Sequence, residues 1–402
     1  MDRLDQIFSS FTSKSLFENK MVLQSNYSPN MILHRDAQIE SVASILAPAL
    51  RGERASNLFI YGKTGSGKTL SVQHVGAKIL EKINSMGSDH LKLIYVNCKL
   101  KKVADTEYRI LAELIHELGG SVPATGLPTD NVYTRFVDLI DNKKQMILII
   151  LDEIDQAVKK ISDNFIYTLT RLNSELKNAQ ISIIGISNSL TFMDNLDPRV
   201  KSSLGEEEII FPPYNALQLQ DILKERAEKA FKAGVIDEGV IAKCAAFAAR
   251  EHGDARRALD LLRVAGELAE RENGNKISLI HIDAANQKIE KDKMLDIIES
   301  EPRQFQLVLL SIMQLDGGVN VEEGIFTGDV YNMYKEVCDK TSNEVLTQRR
   351  VSDILAEFDM LGIINARVIS KGRQGRTREI KLMLAPAIKS KAFEILKKSL
   401  DM

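Results

Sequence analysis

The sequence predicts an α/β fold in which a parallel sheet carries helices on its faces. Four short β-rich runs alternate with helical patterns in the first half of the 402-residue chain: Leu58–Tyr61, Leu93–Asn97, Met146–Leu151 and Ile181–Ser187. These runs are apolar without interruption, which is typical of strands that are buried on both sides. Ligands of such sheets bind at the carboxyl ends of the strands, so we look for functional residues there.

The first run leads directly into a glycine-rich segment, Gly62-Lys63-Thr64-Gly65-Ser66-Gly67-Lys68-Thr69, and a helical pattern follows it. This spacing between a strand and a helix is typical of a P-loop. Its glycines let successive backbone N–H groups point inward, and the helix presents its positive end to phosphates. All eight residues are therefore predicted to bind a nucleoside triphosphate, with Lys68 at the β- and γ-phosphates and Thr69 on Mg²⁺. A dinucleotide fingerprint is excluded, because Leu70 stands where its third glycine should be.

A second motif ends the third run, where Met146–Leu151 leads into Asp152 and Glu153. A buried strand that ends in two carboxylates can reach Mg²⁺ from the edge of the sheet. We predict that Asp152 holds the metal and that Glu153 polarises the attacking water in phosphoryl transfer. A solvated acidic turn is the structural alternative, and the P-loop earlier in the chain argues against it.

Composition places the chain among ordinary soluble proteins, with 44% hydrophobic residues, 27% charged residues and a net charge of −2. Affinity for nucleic acid would therefore have to come from local basic patches. The cysteines at 98, 244 and 338 are far apart, which argues against a zinc site or a disulfide framework and fits a reducing cytoplasm. The most apolar run, Met146–Leu151, is too short to span a bilayer, so no membrane partner is expected.

Changes in pattern along the chain predict three domains. A nucleotide-binding core covers residues 1–210, a helical lid domain covers 211–299, and a third domain covers 300–402. The third domain shows helical patterns at Gln304–Leu315, Gly328–Lys340 and Thr347–Leu361, followed by β-like runs at Ile363–Ser370 and Thr377–Leu384. Three helices and a hairpin describe a winged helix, a relative of the helix-turn-helix DNA readers.

The winged helix carries basic residues where DNA would be contacted. The start of its third helix supplies Gln348, Arg349 and Arg350, which we expect in the major groove. The hairpin adds six further candidates: Arg367, Lys371, Arg373, Arg376, Arg378 and Lys381. Glu379 is the single acidic residue of the hairpin, and like charges on one short element repel each other unless a bound polyanion neutralises them. A merely solvated hairpin is the alternative.

Together these motifs resemble the archaeal origin-recognition and cell-division-control initiator family, a clade of AAA+ ATPases. The resemblance spans nearly the whole chain. It is carried by Tyr27-Ser28-Pro29, His34-Arg35-Asp36-Ala37-Gln38-Ile39, the P-loop, Leu151-Asp152-Glu153-Ile154-Asp155, Leu196-Asp197-Pro198-Arg199-Val200-Lys201-Ser202-Ser203-Leu204, Gly253-Asp254-Ala255-Arg256-Arg257 and the winged helix. It implies a nucleoid-associated cytoplasmic protein that binds ATP or ADP, recognises double-stranded origin DNA and helps recruit or load the MCM helicase. Whether other initiator copies join it on DNA stays open.

The resemblance also implies roles for residues outside the P-loop. Asn188 takes the sensor-one position after the fourth strand, and Arg256, with Arg257 as the alternative, takes the sensor-two position in the lid. Carried over by position, four more residues lie near the nucleotide: Tyr214 and Arg226 from the start of the lid, and His34 and Arg35 beside the adenine pocket.

One departure from the family pattern concerns hydrolysis. Eukaryotic relatives tend to carry an arginine finger where this chain has Ser203, and Arg199 or Lys201 would be imperfect substitutes. An arginine finger contributes several orders of magnitude in rate. We therefore expect slow ATP hydrolysis, with ATP and ADP acting mainly as a conformational switch. A nucleotide-switched winged-helix transcription regulator and a clamp-loader-like AAA+ remodeller are the alternative functions.

Overall fold

The structure is a computed structural model that describes residues 15–99, 106–123, 125–317, 324–370 and 376–401. The chain divides into two compact units, Met1–Asp283 and Ala284–Met402. The boundary predicted between core and lid at residue 210 lies within the first unit and stays a prediction.

The first unit is built on a parallel sheet. Its strands are β1 (Leu58–Tyr61), β2 (Leu91–Asn97), β3 (Met146–Asp152), β4 (Gln180–Ser187) and β5 (Glu207–Ile210). They lie in the order β2-β3-β4-β1-β5, and every neighbouring pair is parallel. All seven residues of β3 are buried, as expected for a central strand with helices on both sides. The four predicted strands are confirmed.

The fifth strand was not predicted from the sequence. β5 begins with two exposed glutamates, and only Ile209 of its four residues is buried. Among the described strands it pairs with β1 alone, in the register Ile60↔Ile209. An acidic edge strand this short lacks the apolar run by which the central strands are predicted.

Ten helices of the described chain belong wholly to this unit. They are α1 (Asp36–Leu46), α2 (Lys68–Ser85), α3 (Glu107–Glu117), α4 (Thr129–Ile140), α5 (Ile154–Ile161), α6 (Asn164–Arg171), α7 (Pro198–Leu204), α8 (Ala216–Ala230), α9 (Val240–Arg250) and α10 (Ala255–Arg271). Short 3₁₀ turns lie at Lys20–Leu23, Ala47–Arg51, Leu172–Ser174 and Met193–Asn195. One apolar core joins the sheet to α3–α7, and a second joins it to α1 and α2.

The segment before α1 packs against the helices α8–α10. Phe17 stacks on Phe231, with ring centroids 4.6 Å apart. Both rings press against Gly266 of α10, where an added Cβ would lie 2.6 Å from Phe17. Lys20 pairs with Glu267 at 2.8 Å. The chain before the P-loop is therefore attached to the helices that follow the sheet.

The second unit contains the predicted winged helix. Helix α11 (Leu279–Ser300) spans the division between the units, and the rest comprises α12 (Arg303–Asp316), β6 (Ile325–Phe326), α13 (Thr327–Lys340), α14 (Gln348–Met360), β7 (Ile364–Ser370), β8 (Arg376–Leu382) and α15 (Pro386–Ser399). The strands form an antiparallel sheet in the order β6-β8-β7. All three predicted helices and both predicted hairpin strands are present. The two-residue β6 and the final helix α15 were not predicted.

Candidate functional site

The glycine-rich segment forms the turn between β1 and α2. Gly65 and Gly67 have φ angles of 71° and 90°, which side chains rarely tolerate. Neighbouring atoms also leave no room: a Cβ at Gly65 would lie 1.8 Å from Asp254 Oδ1, and one at Gly67 would lie 2.8 Å from the Tyr214 hydroxyl. The loop therefore requires glycine for its backbone conformation and for its contact with the helices that follow the sheet.

Lys68 begins α2, and its ammonium group is buried at the carboxyl edge of the sheet. Its Nζ donates to Gly62 O at 2.7 Å, Lys63 O at 2.9 Å and Asn188 Oδ1 at 2.9 Å. Burial lowers the pKa of Lys68 to about 8, although Asp152 opposes the shift. The predicted sensor-one amide and the predicted phosphate-binding lysine are thus in direct contact.

Asp152 lies at the end of β3 and receives hydrogen bonds from two hydroxyl groups. Thr69 Oγ1 donates to Asp152 Oδ2 at 2.9 Å, and Tyr95 of β2 donates to the same oxygen at 2.7 Å. The two predicted metal ligands are therefore adjacent. Hydroxyl and carboxylate oxygens are the hard donors that Mg²⁺ prefers, so these residues fit that ion. Tyr95 was missed, because a tyrosine in a strand carries no motif.

Glu153 has a left-handed backbone, with φ 53° and ψ 42°. This conformation is uncommon outside glycine and asparagine, and such residues occur often at functional sites. Its carboxylate is 19% exposed and lies 3.7 Å from Lys99 Nζ. Next to it, buried Asp155 accepts a 2.9 Å hydrogen bond from Ser187 Oγ, which ties the start of α5 to the end of β4.

A cavity lies over these residues within the first unit. Gly65, Gly67, Lys68, Thr69, Tyr95, Asn97, Asp152, Glu153 and Asn188 line it from the sheet side, and Tyr214, Ile222, Glu225, Arg226, Ala255, Arg256 and Leu259 line it from the helices α8 and α10 and the chain before them. A third wall comes from residues 24–33, among them Tyr27 and Ile32. This wall was only partly anticipated, since no spacing rule marks it.

Of the four further residues predicted to lie near the nucleotide, two line the cavity and two do not. Tyr214 and Arg226 line the cavity, and the Arg226 guanidinium stacks over Tyr27 at 4.5 Å from the ring centroid. His34 and Arg35 are not among its lining residues in the described chain. His34 Nε2 instead contacts Asp221 Oδ2 at 3.0 Å, and Arg35 is buried behind the P-loop.

The loop before α10 touches the P-loop directly. Asp254 caps the helix by accepting from the backbone N–H of Arg256 at 2.8 Å, and Ala255 N donates to Gly65 O at 3.3 Å. The exposed Arg256 lines the cavity, whereas Arg257 pairs with Glu251 at 3.2 Å. Of the two sensor-two candidates, only Arg256 faces the space where a ligand would lie.

The substitutes proposed for an arginine finger lie on α7. Arg199 is held by Asp197 at 3.1 Å and packs over the Tyr167 ring at 5.3 Å from its centroid. Lys201 lies 3.6 Å from Asp194. Neither side chain is among the residues that line the cavity in the described part of the chain.

The predicted DNA-binding residues of the second unit fall into two groups. Gln348, Arg349 and Arg350 are exposed in the first turn of α14, which Thr347 caps. In the hairpin, Arg367 lies opposite Glu379, and exposed Lys381 shares their face. Arg378 belongs to the other face, where it donates to Ser352 O of α14 at 3.1 Å. Lys371, Arg373 and the Arg376 side chain lie outside the described part of the structure.

Three family models match successive parts of the chain. The AAA domain matches residues 51–193, the Cdc6 AAA+ ATPase-type lid domain matches 220–287, and the CDC6 C-terminal winged helix domain matches 296–392. The predicted fold class is thereby confirmed: an AAA+ core with a parallel sheet, an all-helical lid and a winged helix.

Curated relatives extend this match to nearly the whole length. The ORC1-type DNA replication protein of Thermococcus onnurineus is 52% identical over 388 residues, covering 95% of this chain and 92% of the relative. This chain belongs to the ORC1-type DNA replication proteins. A second member, ORC1-type DNA replication protein 1 of Methanosarcina mazei, is 51% identical over 380 residues, covering 94% of this chain and 91% of that one. The resemblance stated from the motifs is confirmed.

A solved structure of this family agrees in fold. The Aeropyrum pernix ORC1 protein, solved in complex with DNA, is 44% identical to this chain and aligns with a TM-score of 0.83, covering 96% of this chain and 98% of that one. Among the described residues, no helix is long and apolar enough to cross a membrane.

Proposed function

We propose that this ORC1-type replication protein binds ATP and Mg²⁺ at the P-loop, recognises origin duplex DNA through its winged helix, and helps recruit or load the MCM helicase. The observation that carries the nucleotide part is the cavity in which Lys68, Thr69, Asp152 and Arg256 converge from the P-loop, the sheet and the lid. Its acidic and basic groups match a metal-bound triphosphate.

Each group in the cavity would take one part of the ligand. Lys68 would exchange its backbone carbonyl partners for phosphate oxygens, and Arg256 would pair with the γ-phosphate from the lid. Thr69 and Asp152 would hold Mg²⁺, which neutralises charge on the phosphates when bound. The third wall, with Tyr27 and Ile32, would enclose the base.

We infer that hydrolysis is slow and that ATP and ADP act as a switch. Glu153 can orient a water on the γ-phosphate side of the cavity, but within this chain no arginine from α7 lines that cavity in the described residues. Exchanging ATP for ADP would remove the phosphate that Arg256 reaches. The loop before α10 would lose that contact and keep the hydrogen bond from Ala255 N to Gly65 O.

Glu153→Gln is expected to keep ATP affinity within a few-fold of wild type and to lower single-turnover hydrolysis about 100-fold, because the amide cannot accept a proton from water. Filter binding of ATP and release of labelled phosphate measure the two quantities. Glu175→Gln is a matched control, because Glu175 follows the 3₁₀ turn Leu172–Ser174, accepts a hydrogen bond from Tyr133 and does not line the described cavity. Equal hydrolysis in Glu153→Gln and wild type would exclude Glu153 from this role.

Nucleotide binding is also expected to take up a proton near pH 8. The pKa of Lys68 is about 8 without phosphates, and phosphate oxygens would raise it. Affinity should therefore fall as the pH rises above about 8, by roughly tenfold per pH unit at the limit. Calorimetry in buffers of different ionisation enthalpy measures the uptake. Lys68→Arg should remove the pH dependence of nucleotide affinity. Binding heats that are the same in all buffers at pH 8–9 would contradict the proposed proton uptake.

DNA recognition rests on family membership and on the exposed basic residues of α14 and the hairpin. A solved relative of 44% identity carries DNA in its structure. Footprinting on genomic fragments tests the proposal: protection at inverted repeats of a replication origin supports an initiator, whereas protection confined to promoters would favour a transcription regulator. Retention of MCM helicase on origin DNA by this protein, with ATP present, tests the recruiting role.

A further inference from the structure

Arg35 is a buried arginine whose guanidinium is directed at the protein rather than at the cavity. It is 2% exposed, and no carboxylate among the described residues pairs with it. Burial lowers the pKa of Arg35, and electrostatic and hydrogen-bond interactions with Tyr214 oppose that shift. A cation buried at this cost needs a structural or functional reason.

The Arg35 guanidinium donates hydrogen bonds to three backbone carbonyls and stacks on one aromatic ring. Nε donates to Ser66 O at 2.8 Å, and the two terminal nitrogens donate to Pro212 O at 2.6 Å and His34 O at 3.1 Å. The Tyr214 ring lies beneath it, 3.7 Å from the guanidinium carbon to the ring centroid. One side chain thus joins the P-loop to the chain segment that enters the lid.

The bond to Ser66 O has a consequence for the cavity. The carbonyl of Ser66 and the N–H of Gly67 belong to one planar peptide group and point in opposite directions. Arg35 holds that carbonyl on the side away from the cavity, so the Gly67 N–H is directed to the opposite side. Gly67 lines the cavity, and inward N–H groups are what a P-loop offers to phosphates.

Tyr214 fixes the other end of the same arrangement. Its hydroxyl lies against Gly67, where an added Cβ would be only 2.8 Å away. Its backbone N–H donates to Gly253 O at 3.3 Å, in the loop that leads to Arg256. The Arg35–Tyr214 pair is therefore in contact both with the Ser66–Gly67 peptide and with the loop before α10.

We infer that Arg35 is a positioning residue that holds the P-loop peptide Ser66–Gly67 in its phosphate-binding orientation and, through stacking on Tyr214, ties that orientation to the lid. This inference rests on the proposed nucleotide function. It assigns Arg35 to preorganisation of the phosphate site rather than to contact with the base. Preorganised sites release their ligands slowly, so Arg35 should set how long nucleotide is retained.

The test uses the full chain and a fluorescent ADP analogue. Arg35→Met should raise the dissociation rate of the analogue at least about tenfold, because two charged hydrogen bonds across the junction and the stacking are lost. Arg35→Lys keeps the charge but not the planar guanidinium, so its dissociation rate should lie between those of wild type and Arg35→Met. Without nucleotide, hydrogen–deuterium exchange of the P-loop amides should be faster in Arg35→Met than in wild type.

A matched control separates positioning from a general loss of stability. Arg263→Met removes a guanidinium from α10 that pairs with Asp260 and Glu267 and lies outside the cavity lining. It should leave both dissociation and P-loop exchange unchanged. If Arg35→Met fails to fold, Tyr214→Leu removes the stacking partner and should speed dissociation in the same direction.

Dissociation rates and P-loop exchange within twofold of wild type, in folded Arg35→Met or in Tyr214→Leu, would overturn the inference. A wild-type chain that binds neither ATP nor the ADP analogue would instead overturn the proposed function, and the two failures are therefore distinguishable.

Discussion

Replacing Lys68 with alanine is expected to lower the affinity for ATP and ADP at least about 100-fold. Its ammonium is held at the cavity floor by two P-loop carbonyls and Asn188, so it already stands where phosphate oxygens would arrive. Hydrogen bonds from a charged group to phosphate contribute about 1.5–3 kcal/mol each, and Lys68 would reach two phosphates. Isothermal titration with each nucleotide measures the loss.

Lys78→Ala is the control for this substitution. Lys78 lies on the same helix, is exposed, and pairs only with Glu81 one turn away among the described contacts. Its removal should leave nucleotide affinity unchanged. Thermal unfolding without nucleotide should show that Lys68→Ala folds, since the variant loses a buried cation whose burial is itself unfavourable. Unaltered nucleotide affinity in a folded Lys68→Ala chain would refute the placement of the phosphates.

The sequence predicts the phosphate end of this cavity far better than the base end. Lys68, Thr69 and Asp152 follow from local rules, because glycine spacing and a strand that ends in carboxylates each carry a physical reason. Tyr27 and Ile32 line the same cavity as lid residues that lie about 200 positions further along the chain. No local sequence pattern predicts a contact over such a separation. Arg35 illustrates the same limit: the resemblance implies a place for it beside the adenine pocket, and no sequence pattern predicts its carbonyl partners Ser66, Pro212 and His34.

The second unit shows a similar division. Three helices and two strands follow from apolar periodicity, since each buries one face against a common core that includes Val351, Ile354 and Phe358. Periodicity does not say which basic residues point together. Arg367 and Arg378 belong to one hairpin, yet alternation along the strands puts them on opposite faces. The run of positive charge in the sequence is therefore not a single surface in the structure.

Of the predicted DNA contacts, the pair at the start of α14 allows the sharpest test. Arg349 and Arg350 are both exposed, and among the described residues only Arg350 has an acidic neighbour, Asp353 at 3.8 Å. Substitution of both by alanine should weaken binding to origin duplexes about tenfold or more at physiological salt. If both residues contact phosphates, the slope of log K against log salt should decrease by about 2. Fluorescence anisotropy at several salt concentrations measures both effects.

The comparison between DNA sequences separates two roles for these arginines. Equal losses on origin and random duplexes indicate phosphate contacts, whereas a larger loss on origin DNA indicates contacts to base edges in the major groove. Lys397→Ala/Lys398→Ala changes the net charge by the same amount at the exposed end of α15 and should leave affinity nearly unchanged. If this control lost as much affinity as Arg349→Ala/Arg350→Ala, the effect would come from net charge, and α14 would have no special place on the DNA.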